Sequence, residues 1–576
     1  MLTKTRPLCV CLVLALVAGR VGAEAPALRR LPLNTYRDKM QGAWLGQMAG
    51  VGWGAPTEFK VRGAIIPAEQ MPAWLPAMIN QHGNDDCYVE MTFLKTLEDY
   101  GLDVGLRQAG IDFANSTYRL WHANQFGREN LRQGIAPPDS GHPQFNAHAD
   151  DIDYQIESDF AGIISPGLPN QAIALGRLFG HLMNYGDGVY AGQFVAAMYG
   201  EAFFEANVVR LIESALRCIP AQSQYAEMVR DLLQWRQAHP DDWQHTWRLI
   251  EDKYHQDPKY THGLCSKPGG EKAYSIDVKL NGAYILMGLL YGAGDPDQTI
   301  TIACRCGQDS DCNPSNAAGI LFTTLGAAKI PPKFTQELDL RRKFSHTQYT
   351  LPKVYEVCEE LARQAVLRAG GRIEKDAAGA EVLLIPVETP QPSALEQSSV
   401  PGPIADSRFT RAEMAQIKLF GQESRSRRGN RSGSINDGDV STFVVTFDGQ
   451  RAEQDWYALT FNVPVTVLRV RFAHGAAFHN GGWFDTSAGR PLVQVQRVAG
   501  GPWETAGELD SYPATTAATP SDLKPGQIST LWLAQPIQVV AVRVVGVPAS
   551  GDNPQQAFSS CAELGVDMAP KAHNEP

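Results

Sequence analysis

Apolar residues recur at helical spacing through the first two thirds of the chain and at alternate positions through the last third. Val89, Phe93, Leu97 and Tyr100 share one face of a predicted helix, and Val195, Tyr199, Ala202, Ala206 and Val209 share one face of another. Gly and Ala abound between Leu33 and Ala369, which suits closely packed helices. Asn313 is a good N-cap and Pro314 fits the first helical position, so a helix is predicted with Ala317 to Ala328 as its body. Past Gly370 come the apolar Val382 to Val387, then Glu388-Thr-Pro-Gln-Pro and a Ser/Pro-rich passage to Pro403, which reads as a linker. Beyond it Tyr457, Leu459, Phe461 and Val463, then Leu468, Val470 and Phe472, then Val540, Val542 and Val544 alternate as strand residues do. The pattern predicts an all-α orthogonal helical bundle over 33–384, a Pro/Ser-rich linker over 385–404 and a β-sandwich over 405–570.

Length agrees, since 576 residues exceed one ordinary core. The start reads as an export signal over residues 1–23: Lys4 and Arg6 lead a short apolar core from Leu8 to Ala18, and Val21-Gly22-Ala23 offers a small-residue cleavage site. A secreted or periplasmic location is the expectation. The apolar core is too short to span a bilayer, and no later run of about 20 apolar residues follows. The net charge of −11 becomes more negative once Lys4, Arg6 and Arg20 leave, which argues against nucleic-acid binding. Without Cys9 and Cys11, eight cysteines remain: Cys87, Cys218, Cys265, Cys304, Cys306, Cys312, Cys358 and Cys561. That number permits disulfides but is sparse for a disulfide-held scaffold, and no pairing follows from it.

The chemistry concentrates in two acidic clusters more than two hundred residues apart, Asn84-Asp85-Asp86 and Asp309-Ser310-Asp311. Singly, each caps a helix and complements its dipole. Brought together, four carboxylates repel strongly unless a cation sits among them. The donors are oxygens, with no paired histidines and no Cys-x-x-Cys knuckle, so a hard cation such as Mg²⁺, Ca²⁺ or Mn²⁺ fits better than zinc. Cys304-Arg-Cys306 reads as buried or disulfide-bonded thiols before it reads as a soft-metal site. Asp150, Asp151, Asp153, Glu157 and Asp159 form a third acidic run, either a solvated loop or a cleft lining. Trp44, Trp53 and Trp121 are core residues or stacking platforms.

In combination these motifs resemble the ADP-ribosylglycohydrolase family, the crystallin J1-like group. The likeness rests on Gly42-Ala-Trp-Leu-Gly46 followed by Gly54-Ala-Pro-Thr-Glu58-Phe, on Asn84-Asp85-Asp86 and on Gly307-Gln-Asp309-Ser-Asp311-Cys312-Asn, with Ser165-Pro166-Gly167 and Gly186-Asp-Gly-Val-Tyr-Ala-Gly192 between them. The resemblance implies an all-α domain that holds one or two Mg²⁺ ions and hydrolyses a bond to ADP-ribose. It implies Asp85, Asp86, Asp309 and Asp311 as metal ligands, with Asn84 and Cys312 at positions where the family commonly places a hydroxyl, and Glu58 as the catalytic residue that helps activate water or polarise the leaving group. By the same resemblance Asp159 and Asn184 are expected at substrate-lining positions. This chain departs from the family at Gly50-Val51, where aspartate usually follows the glycine, and at Asn184, where histidine is common.

The C-terminal segment resembles galactose-binding-like sandwiches through Ser434-Ile-Asn-Asp437-Gly-Asp439, Asp455-Trp456-Tyr and Val542-Arg-Val-Val-Gly546. Such domains hold ligands in end loops, where His479, Trp483 and Phe484 are expected. Arg425, Arg427, Arg428 and Arg431 form a basic run suited to an acidic glycan or to solvent. The expected function is an exported metal-dependent hydrolase cleaving an N- or O-glycosidic bond of an ADP-ribose-like or related sugar. The alternatives are a secreted glycosidase acting on extracellular glycans, its sandwich holding a polysaccharide, and a non-catalytic carbohydrate- or nucleotide-binding protein.

Overall fold

The structure is a computed structural model, and it describes residues 27–261, 276–414, 416–417, 421–429, 433–436 and 439–568. The expected leader over residues 1–23, Cys265, Arg431 and Asp437 lie outside the described residues. Helices dominate the first domain, and its axis is a pair made possible by glycine. Gly42, Gly46, Gly50 and Gly54, four apart, share one face of the helix Leu33–Gly54. A Cβ on these residues would lie 2.4, 2.3, 2.1 and 2.1 Å from the carbonyl oxygens of Phe322, Ala318, Pro314 and Ser310 in turn. As one number rises the other falls, so the helix Cys312–Leu325 runs antiparallel to the first, backbone against backbone. This contact sets the depth of the Asp309–Asp311 loop.

Two helix expectations need correction. The second helix of that pair begins at Cys312 with Asp311 as its cap residue. Asn313 lies inside it, because the Asp309 and Asp311 carbonyls already accept from the Asn313 and Ser315 amides. The expected run through Val209 divides in two, Asp187–Ala202 and Val208–Leu216. Asn207 caps the second of these by accepting from the Arg210 amide at 3.1 Å, a local interruption that helical spacing alone does not reveal. No described helix is long and apolar enough to cross a membrane.

The apolar Val382 to Val387 stretch forms a strand, Glu381–Pro386, between Leu28–Pro32 and Arg372–Lys375 in an antiparallel three-stranded sheet. The passage after it has no regular element but is strapped to the helical domain. The Asn170 amide donates to Glu388 at 3.2 Å, Tyr190 Oη to the Ala394 carbonyl at 2.8 Å, and the Gly186 amide to Glu396 at 3.1 Å. Further on, Gly402 donates to Tyr185 Oη at 3.0 Å, and the Ala405 and Ser407 amides donate to buried Asp139 at 2.8 and 2.6 Å.

The β domain is built on two long strands, Asp455–His474 and Ile528–Pro548, paired antiparallel. Their lower halves add Gln422–Arg425 and Leu492–Gln496, and their upper half adds Ser560–Met568, so each long strand serves both layers of the sandwich. Bulges between Trp532 and Ile537 and between Val539 and Ala541 shift the register. The inward phase therefore changes: Tyr457, Leu459 and Phe461 are buried, then Val465 and Val467, then Val470 and Phe472. Leu468 and Val540, expected inside by strict alternation, are only half-buried, while Val467 and Val539 are buried in their place.

Candidate active site and metal centre

The two distant clusters meet. Asn84 caps the short helix Asp85–Tyr88, its Oδ1 accepting from the Asp86 amide at 2.9 Å while its Nδ2 donates to Asp311 Oδ2 at 3.1 Å. Asp309, Asp311 and Cys312 each present a ligand atom within 4.8 Å of the others, and the thiol donates to Asp311 Oδ1 at 3.8 Å. The opening motif joins this loop. Thr57 Oγ1 and Ser310 Oγ lie 2.8 Å apart, the Phe59 amide donates to the Gln308 carbonyl at 3.0 Å, and the Gln308 amide to the Val61 carbonyl at 3.1 Å. Phe59 (φ 49°) and Gln308 (φ 57°) both take the left-handed backbone that side chains avoid, a strained arrangement that holds Glu58 beside the aspartates.

Electrostatics shows what this assembly lacks. Asp86 is 0% exposed, and among the described residues neither of its carboxylate oxygens nor the buried Asp309 Oδ1 has a hydrogen-bond donor other than the weak Cys312 thiol beside them. Burial first, then the Asp311 charge, hold the Asp86 and Asp309 carboxyls well above the usual range. Asp85 is raised to about 6 by burial and by Asp311. Glu58, at the exposed rim, is pushed up to about 7 by partial desolvation and then by Asp311 and Asp85. Oxygen-rich, anionic and short of donors, the group fits a hard divalent cation. The Asp86, Asp309 and Asp311 carboxylates suit such an ion, whereas the Cys312 thiol is a poor partner for it. With the amide oriented as described, the Asn84 oxygen is already engaged by its helix.

The third acidic run is no solvated loop: Asp150, Asp151, Asp153, Glu157 and Asp159 are all buried. Asp153 Oδ1 accepts from the Asn124 amide at 3.0 Å, and Asn124 Nδ2 donates to Glu157 Oε1. Burial raises the Asp153 carboxyl to about 7 and that of Glu157 well above normal, and the charge of Asp85 adds to both. They extend the acidic arc past Asp85. Nothing in their spacing marks them as neighbours of residue 85; only the fold does so. Asp159 lies deeper, accepting from Tyr199 Oη at 2.8 Å and Asn316 Nδ2 at 2.7 Å. Asn184 is fully buried and spent on backbone, accepting from the Tyr154 amide at 3.0 Å and donating to the Ala149 and Asp151 carbonyls at 3.0 and 2.8 Å. Beside Asp86, buried Glu90 accepts from Gln47 Nε2 at 2.5 Å and the Phe160 amide at 3.1 Å, a support the sequence does not announce.

Of the three tryptophans, Trp44 and Trp53 are core and Trp121 is exposed. The seven described cysteines are buried, and Cys304 and Cys306 are free core thiols. In the β domain Trp483 and Phe484 are also core, and only His479 of the expected trio reaches the surface, paired with Asp552 at 3.1 Å.

Comparison with known proteins follows this division. A solved structure described as an ADP-ribosylglycohydrolase-related protein complex is similar to 58% of this chain and 99% of its own, at 15% identity and a TM-score of 0.37. The C-terminal region is similar to the family 32 carbohydrate-binding module of Clostridium perfringens NanJ, solved with galactose (16% identity, 25% of this chain, 91% of that chain, TM-score 0.19). It is also similar to chitosan-binding module 1 of the chitosanase/glucanase of Paenibacillus sp. IK-5 (19% identity, 26% of this chain, 96% of that chain, TM-score 0.18). No curated protein matches the chain. The family model for ADP-ribosylglycohydrolase matches residues 32–372, more than half of the chain and all the acidic motifs described above, and the protein belongs to that family.

Proposed function

We propose that this glycohydrolase is exported and metal-dependent, and that it cleaves an N- or O-glycosidic bond of an ADP-ribose-like or related sugar substrate. The observation that carries the reading is the buried, donor-starved pair Asp86 and Asp309 facing Asp311 beside Glu58. Asp86, Asp309 and Asp311 would hold Mg²⁺, with Asp85 completing the anionic ring; Ca²⁺ and Mn²⁺ suit the same donors. A bound divalent cation lowers the pKa of a coordinated water and fixes neighbouring sugar hydroxyls. Glu58 then handles the proton: with a carboxyl near neutrality at the open edge of the site, it accepts from the attacking water or donates to the leaving oxygen or nitrogen. The Thr57–Ser310 and Phe59–Gln308 contacts position that carboxyl. The leader at residues 1–23 supports export, and the β domain is read as an arm that holds a glycan.

Metal content after purification, and turnover of ADP-ribosylated compounds and aryl glycosides with and without chelator, test the reading. Asp309→Ala should lose metal and turnover together. Full activity in that variant, or in chelator, would remove this site from consideration.

A further inference from the structure

Among the described members of the β domain's arginine run, Arg427 is tied to carboxylates, whereas Arg425 and the exposed Arg428 are not. Arg427 is locked against Asp455 at 3.0 Å and Asp448 at 2.6 Å, and Arg425 donates to the Gly429 carbonyl at 3.3 Å. Elsewhere in the domain Arg469 and Arg471 meet Asp567, Arg497 meets Glu504, and Arg451 and Arg490 donate to backbone carbonyls. Arg543 differs. It is half-buried and pairs with no carboxylate among the described residues, and its guanidinium carbon lies 4.4 Å from the centre of the Trp503 ring and 5.9 Å from that of Trp456.

The ladder around it crosses four adjacent strands. Arg543 is in register with Gln494, and its Nε donates to Gln494 Oε1 at 2.8 Å. Val545, two residues on, is in register with Trp456. Gln494 in turn donates to Thr505 Oγ1 at 3.2 Å, on the strand that Trp503 precedes. Both indoles are half-buried. A guanidinium partly removed from water without a counter-ion is a deficit that ring faces offset only in part. Desolvation presses its pKa down, and no neighbouring charge contributes. Its Nη groups, with no acceptor among the described residues, present the fork that matches a carboxylate or sulfate, and the flanking indoles present apolar faces for sugar C–H groups.

We propose that Trp456, Arg543 and Trp503 form a platform that binds an acidic saccharide, a sugar unit carrying a carboxylate or sulfate. It lies on the face of the sheet, apart from the end loop that carries His479, and it rests on the reading of the β domain as a glycan-holding arm.

Affinity electrophoresis of the intact protein through gels containing polygalacturonate, dextran sulfate or a neutral galactan tests this. The wild type should be retarded more by one acidic polymer than by galactan, and which one separates carboxylate from sulfate recognition. Arg543→Gln should weaken that retardation at least tenfold in dissociation constant and leave galactan unchanged, with Arg543→Lys in between. Equal retardation of wild type and Arg543→Gln in both acidic gels would overturn the platform, as would a parallel loss in all gels with a lowered melting temperature, which marks a structural ladder. Should the variant not fold, absence of an acidic preference in the wild type overturns it equally. If no polymer retards the wild type, the glycan reading of the β domain falls with it; binding of galactan alone spares that reading and sinks only the platform.

Discussion

Asp455 in the β domain and Asp86 in the helical domain are both completely buried, yet they live in opposite conditions. Asp455 accepts from Arg427 Nε at 3.0 Å, Ser426 Oγ at 3.0 Å, the Ser559 amide at 3.0 Å, Ser559 Oγ at 3.1 Å and Thr446 Oγ1. The Asp86 carboxylate has no donor among the described residues beyond the weak Cys312 thiol beside it, and it faces Asp311 and Asp85 besides. A saturated carboxylate is a fastening; a starved one carries a desolvation cost that its described neighbours do not offset. The contrast separates acids kept for stability from acids kept for chemistry.

The sharpest way to break the contrast is to exchange outcomes between the two domains. Asp309→Ala should lower turnover by roughly a thousandfold or more, several kcal/mol of transition-state stabilisation, and leave the unfolding midpoint in chelator unchanged or higher. Asp455→Ala should do the reverse, destabilising the β domain by about 1–3 kcal/mol because the Ser559 amide and the Thr446 hydroxyl lose a buried acceptor while Arg427 keeps only Asp448 among its described carboxylate partners, with turnover of a small substrate intact. Urea unfolding and initial rates on both variants decide it, and a stability loss in the first or a rate loss in the second would erase the distinction.

Gly50→Ala probes the backbone contact that seats the loop. Its Cβ would meet the Pro314 carbonyl at 2.1 Å, so overpacking should cost about 1–3 kcal/mol and weaken Mg²⁺ binding measured by calorimetry. Smaller effects come from pH. With folded values of about 6 for Asp85 and about 7 for Asp153 and Asp159, these raised carboxyls stabilise the metal-free helical domain fully below about pH 4. That contribution is lost as pH rises toward 7, and saturating Mg²⁺ should suppress the trend. His474, buried and lowered to about 4, has the opposite sign: its contribution to the β domain is complete above about pH 6.5 and lost as pH falls toward 4. Urea midpoints across pH, with and without chelator and in His474→Phe, check both slopes.

Much of the helical site was legible because its chemistry is local. Asp85-Asp86, Asp309-Ser-Asp311 and Glu58 stand in short motifs, and the glycines that press Leu33–Gly54 onto Cys312–Leu325 recur every four residues. What escaped depends on adjacency in space. Asp153 and Glu157 become neighbours of Asp85 only once Asn124 gathers them, and Glu90 reads as an ordinary helical acid. In the β domain, bulges reverse the inward phase without any mark in composition, which displaced Leu468 and Val540. The passage after Val387 reads as loose because Pro and Ser are abundant. Composition does not record that Asp139, Tyr185, Tyr190 and Glu396 supply fixed partners for it.

That anchoring changes how two modules cooperate. On a floppy tether, the local abundance of one module's cargo near the other follows random-coil statistics and falls as the connection lengthens. Stitched down along its course, the connection between Glu388 and Ser407 acts instead as a spacer of set length, so a chain gripped by the sandwich would reach the acidic centre at one characteristic offset from the point of grip.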